Sequence, residues 1–486
     1  MQYVIAIDEG TTSTRAMLYD LAQKKFIRTA QREIRQYYPK PAYVEQDASE
    51  ILRKVKETIC ELLSSLSDED EVLGIGITNQ RETVVLWDRR TGEPVYQAVV
   101  WQCRRTADYC DRIDESMRQK INKKTGLVVD AYFSATKIRW ILDNVPMAQQ
   151  LLDEGNLYAG TIDAWLIWNL TGNFATDYTN ASRTMLFNIE TLDWDEELLA
   201  YFRIPRTALP KVQGCTDVFG VTEICGRRIP VAGSAGDQQA ALFGQGCFTE
   251  GEGKITYGTG LFLLYNTGEK CIRSQSGIVS TIGYSVGGKV TYAMEGSVFN
   301  AGSAVQWLRD ELGFMANAAE SEAMSLAVED TGGVYVVPAF TGLGAPYWRQ
   351  DVTGVITGIT RGTNRNHITR AVLESMAYSA RVLVECMERE SGVRPSCLRT
   401  DGGASANDFL MQFQADVLGV AIDRPVERES TALGAAFLCG IAVGAISPAE
   451  VKKYRKTERI FRPASDRAKF DALFAGYEKA VRKCLL

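Results

Sequence analysis

The chain has 486 residues, of which 45% are hydrophobic and 23% charged, and its formal net charge is -6 at pH 7. That length predicts two or three domains of an ordinary soluble globular protein. The acidic balance argues against a nucleic-acid groove or an anionic membrane surface as the main partner, while leaving room for a local anion site.

The chain opens with "YVIAIDEGTTSTRAMLYD". Tyr3 to Ile7 is a continuous apolar run, as in a strand buried on both faces, and Arg15 to Tyr19 is a return strand after a turn at Gly10. A helix is predicted from Ser49 to Leu66, with Ile51, Val55, Ile59, Leu62 and Leu63 on one side. The buried strand "VLGIGIT" then leads into "NQRETVVLW", where Arg81 and Glu82 stand at the strand end. Neighbours on a regular strand point to opposite faces, so the chain must turn or bulge there for both to reach one ligand. An ordinary surface ion pair is the alternative. Further on, "IPVAG" reads as a strand and "SAGDQQAALF" as its exit into a helix. Asp237 sits at that junction, either directed into a cleft or capping the helix.

"GDQQAALFGQGCFTEGEG" ends in glycines like an inter-domain connection, which places a boundary near Gly246 to Gly253. "KITYGTGLFLLYNTGE", Lys254 to Glu269, then repeats the opening design of strand, Gly-Thr turn and strand. In "FNAGSAVQWL", Gly302 precedes a helical pattern, and His367 lies at a helix start in "NRNHITRA" with no catalytic role assigned. Finally, Leu398 to Thr400 reads as a strand end, Gly402 and Gly403 as a turn, and Asn407 to Val417 as a helix. That geometry leaves amide N–H groups free for an anion or a nucleotide. Strands alternating with helices define an α/β class.

Eleven cysteines are scattered without a Cys-x-x-Cys pair, and His367 is the single histidine, so a zinc site is not expected. The odd count and the lack of a signal-peptide pattern predict reduced thiols and a cytoplasmic protein. Charges interrupt every apolar stretch, so no membrane insertion is expected.

The chain has neither a G-x-x-x-x-G-K-[ST] loop nor a dinucleotide G-x-G-x-x-G after its first strand. The first hairpin tip nevertheless holds what a polyphosphate needs. Gly10 admits close backbone N–H groups, Thr11, Thr12 and Ser13 supply hydroxyls, and Arg15 supplies a guanidinium fork. Asp8, at the strand end, suits a hydrated Mg²⁺, which takes few carboxylates and many waters. A polar Asp-Gly turn without a ligand is the alternative.

Ten strings in order carry a family resemblance: "DEGTTSTRA", "GITNQRET", "VVWQCRRTA", "YFSATKIRWILDN", "DYTNASRTMLFN", "GDQQAALFGQ", "TYGTG", "FTGLGAPYW", "TRGTNRNHITRAVLESMAY" and "DGGASANDFLMQFQAD". Through them the chain resembles the FGGY carbohydrate kinases of the actin and hexokinase superfamily, and within these the enzymes that phosphorylate glycerol. The resemblance implies two actin-like, ribonuclease H-like ATPase domains around a catalytic cleft. Residues 1–246 would carry the glycerol pocket and first phosphate hairpin, and 247–486 the second hairpin and adenosine site. It implies ATP or ADP with Mg²⁺ held by Asp8, glycerol as substrate, and a homo-oligomer, dimer or tetramer. It makes Asp237 the general base, and Arg81, Glu82, Tyr132 and Gln238 ligands of the hydroxyls beside an apolar wall of Trp101 and Phe262. Thr11, Thr12, Ser13, Arg15 and Thr259 would meet phosphates, and Gly302, Gln306, Gly403 and Asn407 the rest of the nucleotide.

Two features depart from that pattern: Glu9 replaces the usual glutamine and adds a negative charge near the phosphates, and Asp-Ala-Tyr-Phe-Ser-Ala surrounds Tyr132 where Pro and Gly are usual. "TEICGRRIPVAG" lacks the glycine run of a sugar-bisphosphate control loop, and the region of "TDVFG" has no histidine to phosphorylate, so neither control is expected. The alternatives are a kinase for another small polyol or ketose, and a non-catalytic actin-like ATP clamp, which would have no use for the acceptor residues.

Overall fold

The structure is a computed structural model describing residues 1–486. Its first half is built on a six-stranded sheet. The strands are β1 (Gln2–Glu9), β2 (Ser13–Asp20), β3 (Lys25–Glu33), β4 (Glu71–Asn79), β5 (Val218–Ile224) and β6 (Arg227–Gly236). Their order is β5-β6-β4-β1-β2-β3, with β1, β4 and β6 parallel and the others antiparallel. Helix α1 (Ala48–Leu63) covers β2 and β3. Its predicted apolar stripe is buried, and Asp47 caps it by accepting from the Ser49 and Glu50 amides. It ends three residues before the expected Leu66. There the Ser64 and Ser65 hydroxyls turn back onto the carbonyls of Glu61 and Leu62, an alternative to helix that serine offers the backbone. Helices α2 (Ser134–Asn144) and α3 (Asp237–Gly244) complete the part of this half that bears on the site.

The second half repeats the scheme in seven strands. They are β7 (Gly253–Tyr257), β8 (Leu261–Gly268), β9 (Val279–Val286), β10 (Lys289–Val298), β11 (Cys397–Asp401), β12 (Ala421–Pro425) and β13 (Thr457–Phe461), in the order β9-β10-β8-β7-β11-β12-β13. Again an antiparallel hairpin, β7–β8, leads, and two parallel strands follow beside it, β11 and β12. The helices that matter here are α4 (Gly302–Asp310), α5 (Arg365–Ser391), α6 (Asp408–Leu418) and α7 (Ser430–Ala442). The capping box at the start of α5 uses His367 Nδ1 as the acceptor for the Asn364 amide. No helix is long and apolar enough to cross a membrane.

The halves interlock through α3 and α7. Helix α7 lies between β12 and β13 of the second sheet in sequence yet packs on β1, β4 and β6 of the first, and against α3. The approach is closest at Gly434, where a Cβ would stand 1.9 Å from the Ala240 carbonyl oxygen, and at Gly76, where it would stand 2.3 Å from that of Ala435. Both neighbours are backbone and cannot swing aside.

The expectation of eleven reduced thiols fails for two of them. Cys60, near the end of α1, and Cys225, in the β5–β6 turn, form a disulfide, with Cα atoms 5.9 Å apart. An odd cysteine count does not forbid a pair, and a separation of 165 residues hides the meeting of these two ends.

Two outcomes are expected. Gly434→Ala should destabilise the chain by about 2 kcal/mol or more in urea unfolding, because overpacking here displaces main chain. Thiol titration of the denatured, unreduced protein should count nine free thiols; eleven would show the pair to be reduced.

Candidate active site

At the first hairpin the Gly10 amide donates to the Ser13 carbonyl (3.0 Å), closing the tip. Three other segments hold it in place. Trp101 Nε1 donates to Thr11 Oγ1 (2.9 Å), Gln46 Nε2 to the Thr11 carbonyl (2.5 Å), and the Ile34 amide to the Thr12 carbonyl (2.8 Å). Thr12 stays exposed. Arg15 faces Asp8 across the hairpin and donates to Asp8 Oδ2 (2.7 Å) and Glu429 Oε2 (2.8 Å), so its fork closes on two carboxylates. Burial raises the Asp8 carboxyl above its ordinary range, against the pull of Arg15.

Glu9 is fully buried, and Gln80 Nε2 lies 3.2 Å from both its oxygens. Burial pushes this carboxyl well above its usual range, which favours the neutral acid. The negative charge expected at the phosphates is therefore disfavoured, because the side chain leaves water and meets an amide rather than a cation.

On the acceptor side, β4 ends at Asn79, and the chain turns through Glu82, whose φ is +62°. The Thr83 amide donates to the Arg81 carbonyl (2.8 Å) across this tight turn. The turn lets two neighbours enter one network. Arg81 donates to Glu295 through Nη1 (2.5 Å) and Nη2 (3.0 Å), to Gln239 Oε1 (3.2 Å) and to the Tyr132 hydroxyl (3.3 Å). Its Nε stands 3.0 Å from Asp237 Oδ1. Arg183 donates to Glu82 Oε1 (2.6 Å) and Glu295 Oε1 (3.0 Å). Arg81, Glu82, Arg183 and Glu295 are all at most 2% exposed. Burial pushes Glu295 up, but Arg183 and Arg81 outweigh it and hold the carboxyl down at about 2.

Tyr132 packs edge-on to Trp101 (ring centroids 5.7 Å apart) and beside Phe299 (6.0 Å), and Trp101 packs edge-on to Phe262 (6.3 Å). A cavity of about 220 Å³ joins this wall to the second hairpin, touching Trp101, Tyr132, Phe299 and Thr259. Beneath it, the buried Lys137 of α2 donates to the carbonyls of Tyr132, Phe133 (3.0 Å) and Glu82 (3.4 Å). Burial pulls this amine down to about 8.

Asp237 is the first residue of α3; Gly236 occupies the cap position, and no side chain caps the helix. The carboxylate is about a third exposed. It accepts from the Gln238 amide (2.7 Å) and Gln238 Nε2 (3.1 Å), and Gln238 Oε1 in turn accepts from Lys254 of β7. Asp237 thus stands between the halves, near enough to Asp8 for its charge to raise that carboxyl too.

Thr259, Gly302, Gln306, Gly403 and Asn407 line one cavity of about 430 Å³. Gly302 abuts the second hairpin so closely that a Cβ would lie 2.4 Å from the Gly258 carbonyl oxygen. Asn407 caps α6 by accepting from the Leu410 amide (2.9 Å). Arg309, Glu322 and Leu373 also line this cavity and escaped the sequence reading. So did Arg183, Glu295, Lys137 and Phe299 on the acceptor side; the one usable signal was an acid, Glu295, inside the apolar strand β10. No group of three or more His, Cys, Asp or Glu side chains is arranged to hold a metal ion.

Residues 3–244 match the N-terminal domain of the FGGY family of carbohydrate kinases, and residues 253–443 its C-terminal domain. The chain belongs to that family. It is 53% identical over 491 residues to the glycerol kinase of Caldanaerobacter subterraneus subsp. tengcongensis, covering 100% of this chain and 99% of the relative. It is 54% identical to the glycerol kinase of Treponema denticola over 493 residues, with 100% and 99% covered. The crystal structure of Plasmodium falciparum glycerol kinase with ADP superposes with a TM-score of 0.92 at 38% identity, covering 100% of this chain and 99% of that one.

Ionised Glu295 adds stability that is fully present above its ordinary 4.5 and is lost as pH falls through about 2. Glu295→Gln should therefore cost about 3–5 kcal/mol near pH 7, with two buried arginines left short of a partner. In urea unfolding its gap from wild type should shrink as the pH falls from 4.5 towards 2. A gap independent of pH would contradict the ionised pair.

Proposed function

We propose that this chain transfers the γ-phosphoryl group of ATP to a terminal hydroxyl of glycerol, giving sn-glycerol 3-phosphate and ADP. The observation that carries the reading is the position of Asp237. Its partly exposed carboxylate lies beside Arg81 and Gln238, with the first hairpin on one side, through Asp8, and the second on the other, through Lys254. More than 50% identity to glycerol kinases along the whole chain supports the choice of alcohol.

In this reading residues 1–246 carry the acceptor pocket and residues 247–486 the adenosine site. The cavity at Gly302, Gln306, Gly403 and Asn407 takes the nucleoside, and Thr11, Thr12, Ser13, Arg15 and Thr259 take phosphate oxygens as the hairpins meet across the cleft. Arg15 must then exchange a carboxylate for a phosphate. Arg81, Glu82, Tyr132 and Gln238 orient the alcohol, and Trp101 and Phe262 bound its carbon chain. Asp237 accepts the proton of the attacking hydroxyl. Asp8, at the end of β1, would hold Mg²⁺, which takes few protein carboxylates and is bound mainly through water and substrate phosphates. When bound, Mg²⁺ neutralises phosphate charge. An acceptor pocket of buried polar groups rejects alcohols that leave those groups unpaired.

Asp237→Asn should lower kcat by at least about 10³-fold, while glycerol and ADP still bind by calorimetry. Near-normal turnover would remove Asp237 from the base role. In an ADP-release assay across glycerol, dihydroxyacetone, erythritol and ribulose, glycerol should be the best acceptor. ATP hydrolysis that no polyol accelerates would contradict the reading.

A further inference from the structure

Glu295 lies on β10, next to the edge strand of the second sheet, yet its carboxylate is spent on the first half of the chain. Both oxygens are used. Oε2 accepts from Arg81 Nη1 (2.5 Å), and Oε1 accepts from Arg81 Nη2, Arg183 Nη2 and Ser297 Oγ, at 3.0, 3.0 and 3.1 Å. The pairing with Arg81 is a fork on a carboxylate, which fixes the plane of the guanidinium and not only its charge. Arg183 then bridges to Glu82, the neighbour of Arg81. Its Nη1 is buried without a partner, so Arg183 carries unspent donor capacity inside this network.

An arginine has five N–H donors. Four of those on Arg81 have hydrogen-bond acceptors, and Nε faces Asp237 at 3.0 Å. The two bonds to Glu295 are the charge-assisted, paired ones, and Glu295 is fully buried. The bonds to Tyr132 and Gln239, at 3.3 and 3.2 Å, are longer and neutral. A hydroxyl entering this pocket competes more easily with the neutral contacts than with the fork.

From this geometry we propose that Glu295, seconded by Arg183, is the positioning residue of the acceptor site. It reaches across from the second sheet, locks the guanidinium plane of Arg81 and, through Arg183, the carboxyl of Glu82, so that the diol meets Arg81 donors held otherwise only by the neutral Tyr132 and Gln239 contacts and the second oxygen of Glu82. The polyol pocket is therefore completed by a residue of the nucleotide-binding half. This rests on the reading of Arg81 and Glu82 as polyol ligands.

The test measures glycerol binding by calorimetry, and KM and kcat for glycerol and for ATP, in wild type, Glu295→Gln and Ser297→Ala. Glu295→Gln keeps the shape and removes the charge, and should raise the Kd and KM for glycerol by about tenfold or more. The Kd for ADP should stay within about twofold, since the nucleotide cavity at Gly302 and Gly403 does not include Glu295. Ser297→Ala removes one bond to Oε1, leaves the ion pairs and should weaken glycerol about two- to fivefold. It decides the matter if Glu295→Gln does not fold. Unchanged glycerol affinity in the folded variants, or equal losses for glycerol and ADP, would overturn the positioning role. Failure of wild type itself to bind or phosphorylate glycerol would instead overturn the functional reading. The same variants would then be compared on the polyol the enzyme does accept, where a selective loss still supports the role and none overturns it.

Discussion

Three parallel strands meet at the centre of the first sheet, and their register decides where Gly10, Arg81 and Asp237 can stand. Asp8 of β1 and Ala235 of β6 both pair with Thr78 of β4. The ends of β1, β4 and β6 therefore lie side by side, and the residues just beyond them, Gly10, Arg81 and Asp237, leave the sheet at one edge. Ligands of open α/β sheets gather beyond the carboxyl ends of parallel strands for this reason. The second sheet repeats the device: Thr256 of β7 pairs with Asp401 of β11, which brings the Gly258–Gly260 turn beside the Gly402–Gly403 turn. A one-residue slip of β6 against β4 would turn its side chains to the opposite face.

The tight seam between α3 and α7 protects that register. With Gly434 against Ala240 and Gly76 against Ala435, helix α7 is fitted main chain to main chain. Asp237 opens α3, so the packing of α3 sets the position of the carboxylate. A packing residue and a candidate catalytic residue thus share one rigid helix, although one is read as core and the other as chemistry.

Local chemistry was legible in the sequence. The two hairpins, the chain turn at Arg81 and Glu82, the glycine turn before α6 and the stripe of α1 all follow from residues within a few positions of one another. What escaped has partners far along the chain. Arg81 and Glu295 are 214 residues apart, and Cys60 and Cys225 are 165 apart. Neither helix nor strand periodicity predicts that an acid in an apolar strand will meet an arginine from another sheet. Glu9 escaped for a different reason. It stands at the end of β1 beside the first hairpin's turn, and burial disfavours the charge it was expected to add there.

The buried charges also bear on the direction of the proposed reaction. Arg81 and Arg183 pair with Glu82 and Glu295, Lys137 lies against backbone carbonyls, and Lys254 is joined to Asp237 through Gln238. A neutral alcohol adds no charge to that arrangement. If, as proposed, its proton moves to Asp237, the carboxylate's negative charge is lost while Lys254 and Arg81 stay in place. Arg81 and Lys254 are buried, so water screens their charges little. The positive charge left over lies on Arg81 and Lys254, the groups around Asp237. In the proposed reaction proton transfer and charge stabilisation are one event, arranged before the alcohol arrives by groups whose own partners hold them still.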